Sequence, residues 1–133
     1  MKRAALISCL SALLSSAALA NEGFTQRACM IEGNFNLLGQ TLYSKDCMQA
    51  GRTETDETAF RRSCSELAKT SAALGGNPGT VTYMAQCELP AQGICKNFMK
   101  SGRDAYYYAR TTDDLDTLPQ GCNVWGGKWA PGR

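Results

Sequence analysis

The sequence predicts an α+β fold: a small single domain in which one main amphipathic helix packs on a small, mainly antiparallel sheet, linked by up to three disulfide bonds. Three observations lead to this prediction. One central stretch repeats apolar residues at helical spacing, two later stretches are rich in β-branched and aromatic residues, and six cysteines follow an N-terminal leader. The chain has 133 residues, of which 44% are hydrophobic and 20% charged, as is typical of one globular domain.

The N-terminus has the organisation of a bacterial signal peptide. Residues 1–3 include two basic side chains, residues 4–14 are mostly apolar, and Ala18 and Ala20 provide the small residues that a signal peptidase reads. The apolar run is shorter than the ~20 residues that span a bilayer, and no later segment is apolar enough to do so. We therefore predict a cleaved signal peptide, residues 1–20, a periplasmic or secreted location, and no stable membrane insertion after cleavage.

Cleavage leaves one domain, residues 21–133, and removes the net charge. The full chain carries +2, which Lys2 and Arg3 account for, so the mature domain has equal numbers of basic and acidic residues. Nucleic-acid binding depends on clustered positive charge, and the longest basic run here is Arg61-Arg62. A nucleic-acid partner is therefore not predicted.

The clearest helix is predicted for residues 56–74. The residues that share its apolar face, at spacings of three and four, are Phe60, Cys64, Leu67, Ser71 and Leu74. Asp56 and Glu57 suit the N-terminal end of a helix, and the Gly75-Gly76 pair ends it. Because Cys64 lies on the apolar face, we expect it to form a disulfide bond in the core.

Two strands are predicted after this helix, at residues 80–88 and 104–110. In the second, side chains alternate between the two faces of the sheet. Tyr106 and Tyr108 therefore share one face, and Tyr107 lies on the other.

The remaining segments have shorter patterns. They predict a strand at residues 24–31, a short helix at residues 38–48 ending at Gly51, a short helix at residues 94–100 ending at Gly102, and a helical turn at residues 113–118 ending at Pro119.

Residues 45–52 and 96–103 indicate a weak internal repeat. The segments KDCMQAGR and KNFMKSGR share Lys, Met, Gly and Arg at the same positions. In both, a predicted helix runs into a Gly-Arg pair, so shared helix-end chemistry or chance explains the match as well as duplication does.

The six cysteines of the mature domain predict disulfide bonds. They are Cys29, Cys47, Cys64, Cys87, Cys95 and Cys122, because Cys9 leaves with the signal peptide. An even number in an exported chain is typical of a disulfide framework. The chain has no histidine and no C-x-x-C, which argues against a zinc site and against a redox dithiol. No metal site is predicted.

Six cysteines allow 15 pairings, and we expect Cys87–Cys95, Cys29–Cys47 and Cys64–Cys122. Pro90 and Gly93 allow the chain to turn between the first two of these cysteines. Three cysteines lie on each side of Gly76, so complete pairing requires at least one bond between the two halves of the chain.

The composition excludes several kinds of catalysis. Without histidine there is no Ser-His or Cys-His nucleophile and no imidazole acid or base, and the G-x-S-x-G motif is absent. The segment GGNPG lacks the spacing and lysine of a phosphate-binding loop, and no cofactor is predicted. Glycoside hydrolysis by two carboxylates remains as an alternative function, with candidate acids Glu32, Asp46, Glu88 and Asp104.

The candidate binding residues are aromatic: Tyr106, Tyr108, Trp125 and Trp129. Such side chains provide large contact areas at interfaces, and they also fill the cores of small domains. We predict an exported, non-catalytic module that binds a protein of the cell envelope or exterior, as an inhibitor, immunity protein or accessory factor does. A cell-wall or polysaccharide-binding module, using the tryptophans on a glycan, is the other alternative.

Overall fold

The computed structural model describes residues 23–133, which form a six-stranded antiparallel sheet with two helices on one face. This confirms the predicted α+β fold. The predicted signal peptide lies outside the described residues. The elements in chain order are β1 (Ala28–Leu37), β2 (Gln40–Gln49), α1 (Glu57–Ala73), β3 (Thr80–Met84), β4 (Gly93–Lys96), β5 (Asp104–Tyr107), α2 (Thr112–Val124) and β6 (Lys128–Ala130), with a short 3-10 helix at Phe98–Lys100.

The sheet consists of two halves with the same topology. Its strand order is β3-β1-β2-β5-β4-β6, so each half is a ββαβ unit whose first strand lies between its second and third. The halves meet where β2 pairs with β5, and Met48 there lies opposite Ala105. Cys29 in β1 lies opposite Met48, and Cys95 in β4 lies opposite Ala105, so the two cysteines occupy equivalent places in the two halves.

The segments of the predicted sequence repeat occupy different places in this architecture. Residues 45–52 cover the end of β2 and the loop after it, whereas residues 96–103 cover the end of β4 and the 3-10 helix. Neither segment contains the predicted α-helix. The two glycines at their ends do meet: a Cβ on Gly51 would lie 2.1 Å from the carbonyl oxygen of Gly102.

Both faces of the sheet are packed. On one face, α1 covers the first half around Phe60 and Cys64, and α2 covers the second half around Tyr107 and Cys122. On the opposite face, the loop that carries Cys87 packs against apolar residues of the strands; the buried members of that cluster are Ala28, Met30, Cys47, Cys87, Ile94 and Tyr106.

The helix predicted for residues 56–74 is confirmed as α1. Asp56 caps it by accepting a hydrogen bond from the Ala59 N–H at 2.8 Å, and Gly75, with φ of +85°, follows it. Its buried face differs from the prediction. Ala68 is buried with Phe60, Cys64 and Ser71, whereas Leu67 and Leu74 are exposed. The helix therefore rests on β1 and β3 and leaves these two leucines at its edge.

Four local predictions are wrong. Residues 38–48, predicted as a helix, form the Leu38-Gly39 turn and most of β2, and residues 94–100 belong to β4 and the 3-10 helix. Residues 24–31 form a strand only from Ala28, and the single turn predicted before Pro119 is the longer helix α2. In α2, a capping box between Thr111 and Asp114 starts the helix, and the Cys95–Cys122 bond holds its later turns to the sheet. The proline lies inside the helix and does not end it.

The β1–β2 hairpin was missed because of its turn. Leu38 and Gly39 form the two-residue loop, both with positive φ, 50° and 80°. Such turns favour Asn-Gly or Asp-Gly, and a leucine in the first position is a weak turn signal.

The six cysteines form three disulfide bonds, as predicted, but all three pairings differ from the expectation. The bonds are Cys29–Cys64, Cys47–Cys87 and Cys95–Cys122. The first and third each join the first strand of one half to the helix of that half. The second joins β2 to the loop between β3 and β4. Cys47 and Cys87 lie on opposite sides of Gly76, so the bond required between the two parts of the chain is present.

The predicted cysteine pairs do not form because their members lie on opposite faces of the sheet or on different helices. Cys95 faces the helices and Cys87 lies on the other side of the sheet. Cys29 and Cys47 lie on the neighbouring strands β1 and β2, but Cys29 faces the helices and Cys47 faces the other side of the sheet. Cys64 and Cys122 belong to helices that cover different halves of the sheet.

Replacing Cys95 and Cys122 together by serine is expected to lower the free energy of unfolding by about 2–4 kcal/mol, because the unfolded chain gains freedom and α2 loses its link to β4. Urea unfolding measures the loss. Non-reducing peptide mapping of the variant should recover Cys29–Cys64 and Cys47–Cys87 unchanged. Recovery of Cys29–Cys47 would contradict the arrangement of the sheet.

Candidate functional site: the groove between the helices

The two helices leave the middle of the sheet uncovered. α1 packs on β1 and β3, and α2 packs on β6 and β4. The central strands β2 and β5 therefore form the floor of an open channel between the helices. We call this channel the interhelical groove.

Three adjoining cavities make up the interhelical groove, with volumes of about 270, 330 and 580 Å³. Leu67 lines all three, which makes them one continuous depression. The floor and walls are largely apolar; the apolar lining residues are Ile31, Phe35, Met48, Leu67, Leu74, Phe98, Met99, Ala105, Tyr107 and Leu118.

Part of this apolar lining is in contact with solvent. Leu67 is 46% exposed, and Leu74 and Met99 are exposed to a similar degree. Because these side chains flank one groove, they form a contiguous apolar surface rather than scattered exposed residues. Surfaces of this kind mark interaction sites in proteins.

An ion pair lies on the floor of the interhelical groove. Arg110 donates a hydrogen bond from Nη2 to Oδ2 of Asp46, and its guanidinium lies 5.2 Å from the centre of the Tyr107 ring. Within residues 23–133, the Oδ1 atom of Asp46 and the Nε atom of Arg110 are buried and have no hydrogen-bond partner. The groove is thus an apolar channel with one incompletely satisfied charged pair at its base.

Burial controls the protonation of this carboxyl group. Loss of solvation raises the pKa of Asp46 to about 6, although the charge of Arg110 acts in the opposite direction. Burial also raises the pKa of Tyr107, and the charge of Asp46 adds to that effect. The tyrosine therefore stays neutral where Asp46 titrates.

A second ion pair fixes one end of the interhelical groove. Arg103 donates from Nε and Nη2 to the two carboxylate oxygens of Glu54, at 2.6 and 2.7 Å, and from Nη1 to Ser63 Oγ at 2.7 Å. These bonds lower the pKa of Glu54. They connect the start of β5 to α1, so this end of the groove has a defined width.

The four predicted aromatic residues lie outside the groove lining. Tyr106 is buried on the opposite face of the sheet. Tyr108 is half-buried there and donates from its hydroxyl to the Glu88 carbonyl oxygen at 2.7 Å. Burial raises the pKa of Tyr108 to about 12, so the hydroxyl remains a donor.

The two tryptophans are far from equivalent. Trp129 stacks on Tyr107, with ring centres 5.8 Å apart, and covers Gly93, where a Cβ would meet the indole at 2.1 Å. Trp125, at the end of α2, is 63% exposed next to Val124, which is also exposed. The structure does not bring the indoles together as one platform.

The four candidate acids are also separated. Only Asp46 lines the interhelical groove. Glu32 pairs with Lys45 at 3.1 Å and Asp104 with Lys96 at 3.1 Å, both on the face opposite the helices. Glu88 belongs to the loop on that same face. No cleft therefore holds two of these four acids, which the glycoside-hydrolase alternative requires.

Sequence reasoning missed Leu67, Leu74 and Arg110 as site residues. The leucines have the spacing of core residues, and nothing in the sequence shows that α2 lies too far away to cover them. Arg110 is the last residue of a predicted strand and belongs to no motif, and its proximity to Asp46 arises only from the β2–β5 pairing.

No protein family, curated protein or solved structure matches the chain. The three disulfide bonds are typical of an oxidising environment outside the cytoplasm. Among residues 23–133, no helix has the length and apolar character to span a membrane. No cluster of acidic or cysteine side chains in that range is arranged to hold a metal ion.

Replacement of Asp46 by asparagine is expected to change the pH dependence of stability. Because the folded protein holds a proton at Asp46 up to about pH 6 and the unfolded chain only to about pH 4, this group makes the free energy of unfolding fall as pH rises between those values. The asparagine variant has no titrating group at this position, so its free energy of unfolding lacks this fall. Its stability relative to the wild type should therefore increase by ~1–2 kcal/mol from about pH 4 to about pH 7, a range that allows for the part of the side chain in solvent.

Urea unfolding of both proteins across this pH range measures the effect. A difference in the free energy of unfolding that stays constant with pH would contradict the raised pKa of Asp46.

Proposed function

We propose that the protein is an exported, non-catalytic binding module of the periplasm or cell exterior, and that the interhelical groove holds part of a partner protein. An inhibitor, an immunity protein or an accessory factor would act in this way. The observation that carries the proposal is the apolar groove itself, with Leu67 and Leu74 exposed beside a charged pair that lacks part of its hydrogen bonding.

Rigid walls support a binding role. The Cys29–Cys64 bond holds α1 to β1, and the Cys95–Cys122 bond holds α2 to β4. Each helix is therefore fixed on its own half of the sheet, and the β2–β5 pairing and the Arg103–Glu54 ion pair set the distance between the halves before a partner arrives. A preformed site loses little conformational entropy on binding, so more of the contact energy contributes to affinity.

The lining of the groove favours a protein over a glycan. Its exposed apolar side chains are aliphatic or thioether groups, which pack against the apolar side chains of a polypeptide. Stacking on sugar rings calls for an open aromatic surface. Trp129 packs on Tyr107, which leaves Trp125 as the exposed member of the tryptophan pair. The polysaccharide-binding alternative rests on Trp125.

The catalytic alternative has less support. Asp46 has a raised pKa and lies in a groove, as a catalytic acid often does. Its neighbour is an arginine, however, and Glu32, Glu88 and Asp104 lie on the opposite face of the sheet. A lone carboxyl paired with a guanidinium fits recognition better than two-carboxylate hydrolysis.

Leu67→Arg is expected to weaken partner binding by about 30-fold or more, because a charge replaces an apolar contact in the centre of the groove. Leu89→Arg is the matched control: Leu89 is 58% exposed but lies in the loop on the opposite face. In the experiment, the immobilised disulfide-bonded domain is used to capture partners from an envelope fraction, and mass spectrometry identifies them. Titration calorimetry with the purified partner then gives the affinity of each variant. Equal loss of affinity in both variants, or in neither, would contradict a groove-based function.

Trp125→Ala tests the polysaccharide alternative. If the protein binds isolated cell-wall polysaccharide, and this variant loses that binding while Leu67→Arg retains it, the glycan function replaces the one proposed here. The expected result is no specific retention of the wild-type protein on the polysaccharide.

A further inference from the structure

The β1–β2 hairpin has one edge that no other strand covers. β2 pairs with β1 along its whole length, but it pairs with β5 only from Asp46 to Gln49. The next contact, from the Tyr108 N–H to the Lys45 carbonyl oxygen at 3.1 Å, is the last one in that ladder. Residues 40–44 of β2 therefore form what we call the free edge.

The free edge presents unpaired backbone groups. In an antiparallel ladder, residues alternate between facing one neighbouring strand and facing the other. Because the Lys45 carbonyl group points towards β5, the N–H and C=O groups of Tyr43 and Thr41 point the same way, beyond the end of β5. They offer the hydrogen-bonding pattern that an incoming strand requires.

The chain after β5 turns away from the free edge. The Arg110 N–H donates to Gln92 Oε1 at 2.8 Å, and Gln92 Nε2 donates to the Arg110 carbonyl oxygen at 3.1 Å. These bonds direct residues 108–110 towards the start of β4. The space beside the free edge is thus left open.

The other edge of the hairpin, along β1, is covered by β3 and by the loop after α1. Glu32 is the last residue of β1 that pairs with β3, and beyond it β1 lies against the loop after α1. Asn36 Nδ2 donates to the Gly75 carbonyl oxygen at 2.9 Å, and a Cβ on Gly76 would lie 2.1 Å from Asn34 O. Proteins usually protect edge strands with proline, charges, bulges or a covering loop. The free edge has the sequence QTLYS, with no charged residue and no proline.

The free edge borders the interhelical groove. Ser44 and Asp46 of β2 line its first cavity together with Leu67, Leu74 and Arg110. Successive side chains of an added strand point to alternate faces of the sheet. Every second side chain of such a strand would enter the groove between β2 and α1.

We infer that the partner presents an extended segment of about six residues that adds as a strand to the free edge of β2 and places apolar side chains, at every second position, in the interhelical groove. This inference rests on the proposed function and names the form of the partner. Backbone hydrogen bonds to Thr41 and Tyr43 supply affinity, and the contacts with Leu67 and Leu74 select the sequence.

The test compares Tyr43→Pro with Tyr43→Ala. Both remove the phenol ring, which is exposed, but only proline removes the outward N–H; the ladder with β1 does not use that group. The probe is a peptide selected from a phage-displayed random dodecapeptide library against the full disulfide-bonded domain. We expect Tyr43→Ala to bind within about threefold of the wild type and Tyr43→Pro to lose about tenfold or more.

A second measurement does not depend on the folding of the proline variant. N-methylation of the selected peptide, one residue at a time, is expected to weaken binding to the wild-type domain at alternate positions, because only every second N–H of an added strand points towards β2. Equal binding by Tyr43→Pro and Tyr43→Ala, together with no alternation in the N-methyl series, would overturn strand addition.

The Leu67→Arg variant separates this inference from the proposed function. If it abolishes peptide binding while Tyr43→Pro does not, the groove binds partners but strand addition is wrong. If no selected peptide binds, or both variants bind as the wild type does, both proposals fail. A concentration-dependent dimer that Tyr43→Pro abolishes and Tyr43→Ala retains would overturn the inference in favour of pairing between two copies of the chain.

Discussion

The short pairing between β2 and β5 is the constraint on which the rest of the structure depends. It joins the two ββαβ halves along four residue pairs centred near Met48 and Ala105. Each helix packs on the other two strands of its own half, so the centre of the sheet, where the halves pair, stays open between the helices. The pairing also ends before β2 does, which creates the free edge.

Three further links support that pairing. On the face opposite the helices, the Cys47–Cys87 bond holds the loop that connects the two halves to β2. The Arg103–Glu54 and Arg110–Asp46 pairs join the halves on the helix face, one at each end of the paired segment. Each ion pair is partly shielded from solvent and therefore interacts more strongly than an exposed surface pair. On the helix face each half has its own small core, so these links help to fix the angle between the halves. The shape of the groove therefore depends on them as much as on the helices.

The sequence predicted those elements whose determining residues lie within one continuous segment. Helix α1 was predictable because Asp56, the apolar spacing and Gly75-Gly76 are all contained in one segment. β2 was not, because a leucine occupies the turn and its partners lie on other strands. Disulfide pairing failed for a similar reason: which face of the sheet a cysteine occupies depends on strand register, and register is a property of pairs of strands. The groove exists because neither helix covers β2 and β5. From the sequence alone, Leu67 and Leu74 are predicted to be core residues, because their exposure depends on the position of α2.

The Asp46–Arg110 pair connects the groove to the selectivity of binding. A partner side chain that covers the pair removes its remaining water, and the cost depends on what replaces that water. An apolar side chain leaves the carboxylate less solvated and favours its protonated form, which raises the pKa of Asp46 further above 6. A hydrogen-bond donor favours the charged form and lowers that pKa. The two kinds of partner would therefore differ in how their affinity changes with pH. One charged pair on the floor of a largely apolar groove is enough to distinguish partners whose buried apolar area is the same, because a poorly solvated charge costs more than an apolar contact of similar size gains.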